Sequence, residues 1–367
     1  PIREEFGWSH TQISLAISLR GLEMGIFAPI VGFLVDRYGA SMLILFGTIT
    51  IGFGFILLSL THSLAMFYGS ILLIAFGAGG CASVVLTTAV ANWFHKKMGL
   101  ALGLMGSGIG IGGLLIPLIV WLIKVYQWRT TLVILGFTIF VMGIPLSFVI
   151  RNRPEQYGYL PDGAGSKDTT QKNKVPEHGV EITFKQAIKE RSFLYLNIAE
   201  VIRYMAFSAL SVHAMPFFGS IGLQRHTAGL AAGAIPMITI IGRFVFGGLG
   251  DMLDKKYLLV CGFFFMSLGM LGFSYGQMGW LILLFLFFYS TGLGGIMVLR
   301  GAILREYFGR NSFGKMLGIL MGTSSIGGII GPTLAGGVFD ILGSYHPVWL
   351  GFSGSFVLAI ILILRIR

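Results

Sequence analysis

Apolar residues run through this chain in long stretches broken by short polar turns. A helix crossing about 30 Å of hydrocarbon needs roughly 20 mostly apolar residues. Eleven stretches qualify: Ile13–Val35, Met42–Leu60, Leu64–Ala89, Gly99–Ile123, Thr131–Ile150, Phe193–Phe218, Ala228–Leu249, Leu258–Tyr275, Trp280–Leu299, Met316–Val338 and Val348–Leu364. None has the alternating pattern of a membrane barrel, so helices are the way to satisfy their backbone in lipid. One long polar stretch, Arg151–Arg191, follows the fifth run and contains Lys167-Asp-Thr-Thr-Gln-Lys-Asn-Lys174. It reads as a linker ending in a short amphipathic helix, Thr183–Arg191. The pattern predicts an all-α membrane protein with an N-terminal bundle over 1–150, a linker over 151–192 and a C-terminal bundle over 193–367.

The loops carry an orientation. Arg37, Lys96, Lys97, the linker cluster, Lys255, Lys256, Arg305, Arg310 and Lys315 fall on one side, against little more than Arg3, Lys124, Arg129 and Arg225 on the other. Lys and Arg accumulate in cytoplasmic loops, so the basic side, linker included, is expected in the cytoplasm and the chain in the cytoplasmic membrane.

The halves repeat. Asp36 and Asp251 each follow a Gly by four positions (Gly32, Gly247), an offset of 251 − 36 = 215. The same offset pairs Gly99 with Gly314, Leu102 with Leu317, Gly103 with Gly318, Gly112 with Gly327, Gly113 with Gly328 and Pro117 with Pro332. One register held across three spans marks a duplicated bundle with parallel halves, as in transporters that rock about a central site. Moving the span at 193–218 back by 215 puts its counterpart ahead of Pro1, so the repeat predicts two six-helix bundles whose first helix precedes this sequence.

Composition narrows the class. The 367 residues are 55% hydrophobic and 11% charged, against about 45–50% and about 25% in soluble domains, and mean hydropathy is +0.83. The 54 glycines suit closely packed membrane helices. The formal charge of +11 follows from the loop bias and gives no reason to expect nucleic acid. Cys81 and Cys261 lie in apolar runs and build no disulfide, metal or redox site. Gly108-Ile-Gly110-Ile-Gly112-Gly113 fits the dinucleotide-binding pattern in letters only, because it lies inside an apolar span without the required strand. With no phosphate loop, nucleophile elbow or His-Glu-x-x-His, neither a catalytic residue, a cofactor nor a metal is expected, and the protein is not read as an enzyme.

Gly32-Phe-Leu-Val-Asp36-Arg37-Tyr-Gly39 resembles the loop signature of the major facilitator superfamily, and Gly247-Gly-Leu-Gly-Asp251 is a degenerate second copy. Asn92-Trp-Phe-His-Lys96-Lys97-Met-Gly99-Leu-Ala-Leu-Gly103, then Gly106-Ser-Gly108-Ile-Gly110, resembles the monocarboxylate porters and the oxalate/formate-antiporter-like bacterial members. So does Gly331-Pro332-Thr-Leu-Ala-Gly336-Gly-Val-Phe-Asp340-Ile-Leu-Gly343-Ser-Tyr345. The resemblance implies the major facilitator fold, and a gating role for Gly32, Asp36, Arg37, Gly39, Gly247 and Asp251, as contacts that latch one conformation on the cytoplasmic side.

Ionisable residues inside spans cost about 2.5–3.5 kcal/mol on insertion scales and default to functional candidates. Arg243 lies eight residues before Asp251, about 12 Å from the cytoplasmic edge at ~1.5 Å per residue. Arg203 lies ten residues into its span, about 15 Å deep, with Glu200 one turn away. Arg20 and Glu23 form another one-turn pair nearer the outer surface. Arg300 falls near the cytoplasmic end of its span and His213 near the outer end of another; snorkelling or a helix-end hydrogen bond accounts for both. In the resembled families an Arg of the eighth helix binds the substrate carboxylate, and Arg243 stands at the matching place. The monocarboxylate porters carry an acid one turn before it, where this chain has Thr239. The oxalate exchanger carries a Lys in its eleventh helix, where Met316–Val338 has none. The first departure weighs against proton coupling and the second against a small dicarboxylate.

The expected function is therefore secondary transport of a small organic anion, a monocarboxylate, by rocker-switch alternating access. Arg243, Arg203, Glu200, Arg20, Glu23, His213 and Arg300 are the candidate substrate-binding residues. The expected partners are the anion, a coupling proton or counter-anion, and the bilayer around a monomer. The alternatives are efflux of hydrophobic compounds on the same fold and a membrane sensor that binds without transporting.

Overall fold

The structure is a computed structural model that describes residues 5–8, 12, 27–81, 83–113, 115–163, 184–309 and 312–366. The described residues form helices and no strand. In chain order these are α1 (27–38), α2 (Ala40–Ser59), α3 (Leu64–Gly80), α4 (Ser83–Trp93), α5 (Met98–Gly113), α6 (Ile116–Val149), α7 (Arg191–Ser220), α8 (Arg225–Gly250), α9 (Lys255–Ser274), α10 (Gly279–Phe308), α11 (Phe313–Leu342) and α12 (His346–Leu364). By length and composition, nine helical stretches among the described residues can cross a membrane.

Several boundaries differ from the apolar runs, each for a local reason. The run Leu64–Ala89 holds two helices, because α3 ends in Gly-Ala-Gly-Gly at Cys81, whose ψ of 7° leaves the helix. Within α6, Gln127 has φ 63° and ψ 163°, a break in the polar segment between the runs ending at Ile123 and starting at Thr131. The linker helix covers only Phe184–Ala187, because extended Glu190 starts α7; Thr183 lies outside the described residues. Of the first run, Ile13–Val35, only residues from 27 onward are described.

Polar residues set helix starts where the apolar pattern cannot. The Ser63 hydroxyl accepts from the Met66 N–H at 3.2 Å, and the Asp254 carboxylate from the Lys256 N–H at 2.8 Å. Gly39, at φ 84°, turns the chain from α1 into α2 in a conformation that disfavours a side chain. Asn152 supports that turn, its side-chain oxygen accepting from the Ser41 N–H at 3.0 Å.

The chain forms two compact units. Unit 1 comprises Pro1–Trp93, Ile111–Thr169 and Asn311–Gly322; unit 2 comprises Phe94–Gly110, Thr170–Arg310 and Thr323–Arg367. Each thus takes one short segment from the other sequence half. In unit 1, α2 packs on α3 and α6; in unit 2, α10 packs on α8 and α9, and α9 on α12. The core of unit 2 centres on α10, with Phe285, Tyr289, Leu293, Ile296, Leu299 and Ile303 buried.

The repeat extends to packing. A Cβ on Gly47 would meet the Gly77 carbonyl, and one on Gly77 the Gly47 carbonyl. At the positions 215 later, a Cβ on Gly292 would likewise meet the Gly262 carbonyl. The copies differ beside this crossing. In unit 1 a cavity of about 440 Å³ lies among Val31, Phe46, Gly47, Thr50, Gly77 and Gly80. The equivalents of Val31 and Thr50 are Phe246 and Phe265, whose rings sit 6.0 Å apart, with Phe246 against Gly295, the equivalent of Gly80.

Candidate functional site

Arg243 stands at a close crossing of α8 and α10. Gly242 faces the Thr291 backbone, and a Cβ on Gly294 would lie against the Thr239 carbonyl and 3.1 Å from the Arg243 nitrogen. That crossing carries the guanidinium past α10 to its next turn, where Nη2 lies 3.5 Å from the Met297 sulfur. Nη1 donates to the Gly106 carbonyl of α5. Arg243 is 6% exposed, and among the described residues no carboxylate bonds it. Thr239 supplies no charge, and its hydroxyl donates to its own helix at Pro236 O, 2.6 Å away. A guanidinium has five N–H donors and remains charged in proteins.

One turn beyond Met297, Arg300 joins a second cluster. Glu200 Oε2 accepts from Arg203 Nε at 2.9 Å, from Arg203 Nη2 at 2.7 Å and, at a longer 3.4 Å, from Arg300 Nη1. All three residues are buried. Among the described residues, Glu200 Oε1, Arg203 Nη1 and the Tyr289 hydroxyl have no hydrogen-bond partner. The position of Arg300 corrects the sequence expectation. Because α10 continues to Phe308 rather than stopping at Leu299, Arg300 is an interior ion-pair member, not a snorkelling residue.

His213 is engaged elsewhere in unit 2. Its Nε2 lies 3.0 Å from Pro332 O, a pure acceptor, so Nε2 carries the proton and Nδ1 accepts from the Tyr345 hydroxyl at 3.1 Å. Burial and the neighbouring Asp340 push the Tyr345 hydroxyl up, keeping it a neutral donor. Arg20 and Glu23 lie outside the described residues.

The two signature loops make matching contacts. In unit 1 the Asp36 carboxylate, just past the apolar run, accepts from the N–H groups of Gly314 and Lys315 at the start of α11, both at 3.0 Å. In unit 2 the Asp251 carboxylate accepts from Gly99 at 2.7 Å and Leu100 at 3.0 Å at the start of α5. Carboxylates suit helix N-termini, where N–H groups are unpaired and the dipole is positive. Burial pushes the Asp36 carboxyl up to about 6, against the pull of the two N–H donors. Gly32 and Gly247 permit the approach, since a Cβ on either would strike the Gly314 or Gly99 carbonyl. Arg37 lies over the Tyr38 ring at 5.4 Å, and Gly39 supplies the turn.

Sequence reasoning overlooked Gly106 and Met297 at Arg243, and the Asn197–Thr323 bond of 2.7 Å between α7 and α11. A carbonyl carries no sequence signal, and Met297 lies within an apolar run.

Comparisons with known proteins agree with this architecture. The family model described as Major Facilitator Superfamily matches residues 1–222 and 196–367. The chain is 26% identical to mouse monocarboxylate transporter 12 over 374 residues, covering 96% of this chain and 77% of that protein. It is 24% identical to the hexuronate transporter of Bacillus subtilis strain 168, covering 99% and 87%. Among solved structures, the E. coli fucose:proton symporter superposes with a TM-score of 0.74 at 14% identity, covering 98% and 91%.

Proposed function

The chain belongs to the major facilitator superfamily, and on that footing we propose that it carries a small organic anion, a monocarboxylate, across the cytoplasmic membrane by rocker-switch alternating access. That it is a multi-pass transporter rather than an enzyme follows from the family and from relatives named as transporters. The substrate class is our reading, and one observation carries it. Arg243 is a buried guanidinium that no carboxylate among the described residues neutralises. An unpaired charge in a dry bundle is heavily penalised, and an incoming carboxylate can supply the partner through a bidentate pair. The name of the mouse relative, a monocarboxylate transporter, supports the same class. In this reading Asp36 and Asp251 gate the carrier from the cytoplasmic side, where the linker also lies, and the carrier works as a monomer.

The test is calorimetry of purified protein against a panel of organic acids. Arg243→Lys keeps the charge but not the fork, so binding of the best acid should fall at least tenfold; Arg243→Gln should abolish it. If Arg243→Gln binds that acid as tightly as the parent, the reading is wrong.

A further inference from the structure

We propose that Gly106 and Met297 determine which edge of the Arg243 guanidinium receives the carboxylate. Gly106 is a positioning residue that leaves the Nε–Nη2 edge to the anion. Met297 covers that edge and selects by the size of the group attached to the carboxylate. The inference rests on the anion reading above and adds how the anion is held and chosen.

A guanidinium is planar and offers a carboxylate two forks, one from Nη1 and Nη2, the other from Nε and Nη2. A Cβ on Gly106 would lie 3.1 Å from Arg243 Cδ, 3.2 Å from Nη1 and 3.4 Å from Nε. Nη1 is the nitrogen cis to Cδ, so α5 covers the edge that those two atoms share. The Gly106 carbonyl also accepts from Nη1, which engages one member of the first fork. Among the described residues Nε bonds nothing, and Nη2 meets the Met297 sulfur at 3.5 Å. A thioether is a weak acceptor on a flexible stem. An incoming carboxylate displaces it and gains two charge-assisted bonds in its place. The displaced Met297 side chain then lies beside whatever the carboxylate carries.

The repeat ties the glycine at 106 to this arginine. The crossing of α5 with α8 in unit 2 is copied by that of α11 with α1 in unit 1. A Cβ on Gly103 would lie 2.9 Å from the Arg243 carbonyl oxygen, and one on its equivalent, Gly318, would meet the Ala28 carbonyl oxygen. The backbones therefore correspond, but the side chains do not. Where unit 2 has Arg243 and Gly106, unit 1 has Ala28 and Met321, so the large side chain comes from the opposite helix. The close approach common to both copies does not require a glycine at 106. The guanidinium beside it does.

The experiment uses the purified full chain, 15N-labelled at arginine, with pyruvate and 4-methyl-2-oxopentanoate as probes. Calorimetry gives their affinities. The Arg243 Nε–H cross-peak, identified by its loss in Arg243→Lys, is followed as each acid is added. A carboxylate on the Nε–Nη2 edge should move that proton downfield. Gly106→Ala should weaken both acids roughly tenfold or more and at least halve the shift. Gly108→Ala, where a Cβ has nothing within 4 Å, should match the parent in both respects. Met297→Ala should move the affinity ratio roughly fivefold or more toward the larger acid, with the Nε–H shift retained. If Gly106→Ala does not fold, the parent titration and Met297→Ala still decide the edge and the selection. Acid binding that Arg243→Gln abolishes, but that leaves the Nε–H proton unmoved, overturns the assigned edge while leaving the anion reading intact. Parent affinity and shift in Gly106→Ala overturn the positioning role, and an unchanged ratio in Met297→Ala overturns the selecting role. Parent binding of neither acid overturns the inference and the anion reading together.

Discussion

Asp36 and Asp251 perform the same act on each other's half of the repeat. Asp36 caps α11 at Gly314 and Lys315, and Asp251 caps α5 at Gly99 and Leu100, so every member of one contact lies 215 residues from its counterpart in the other. The glycines obey the same rule, Gly32 against Gly314 and Gly247 against Gly99. Each cap uses a carboxylate from one copy and a helix start from the other. The contacts are therefore cross-ties between copies.

Asp251→Asn should slow turnover while leaving the ligand affinity alone. An amide oxygen can accept one N–H bond but lacks the charge, and hydrogen bonds to charged groups contribute about 1.5–3 kcal/mol. Losing half of that corresponds to a roughly four- to twelvefold lower transport rate, with binding within about twofold because the cap does not touch the ligand. Parallel calorimetry and vesicle uptake check it; a matching loss of affinity would place Asp251 in the binding site.

The Asp36 contact should respond to acid. Its carboxyl is pushed up to about 6 in the contact, against about 3.9 in water. The contact form therefore holds its proton more tightly, and acidification favours it, with the gain beginning as pH falls through 6 and complete below about 4. Probe-to-probe distances between labels on the α1–α2 turn and the start of α11, read from pH 7.5 to 4.5, should shift toward the shorter population. Asp36→Asn should flatten the response, and an unchanged dependence in that variant would assign it to another group.

Gly247→Ala and its neighbour Gly248→Ala form a matched pair. A Cβ at 247 collides with the Gly99 backbone, whereas one at 248 has nothing within 4 Å. Uptake should fall several-fold or more in the first and match the parent in the second. Equal behaviour would show that the close approach is not used in the transport cycle.

The cavity beside Val31 should accept the ring that its counterpart already holds. Val31→Phe copies Phe246 into the first repeat, and filling a compatible cavity commonly adds about 0.5–2 kcal/mol. A higher unfolding temperature in detergent is expected. A lower one would show that this part of unit 1 has closed around valine too tightly for the ring.

Orientation is testable in the linker. A cysteine at Lys172, outside the described residues, should resist an impermeant thiol reagent in intact cells and react in inverted vesicles. Ready labelling of intact cells would reverse the assigned sidedness.

The helices and the repeat were legible in the sequence because a backbone in lipid has few options and because the glycines that let helices touch recur in one register. Helix ends inside apolar runs were less legible. The break after Gly80 carries no polar mark, and α10 runs on past Leu299 through Arg300, Arg305 and Glu306, charges at which the apolar pattern stops but the helix does not. The burial of Arg300 beside Glu200 was missed for that reason. Which groups surround Arg243 was hidden for another. An almost uniformly apolar helix does not encode which face it turns to which neighbour, so Gly106 and Met297 emerged only with the packing.

The composition of unit 1 bears on biosynthesis. Its segment Asn311–Gly322 follows Phe94–Gly110 and Thr170–Arg310, both of which belong to unit 2. During translation the first bundle must wait in the membrane with Asp36 lacking its α11 cap until the segment carrying Gly314 and Lys315 has been synthesised. Premature termination before residue 311 should therefore leave an early bundle that inserts but cannot complete its own packing, a ready substrate for membrane quality control.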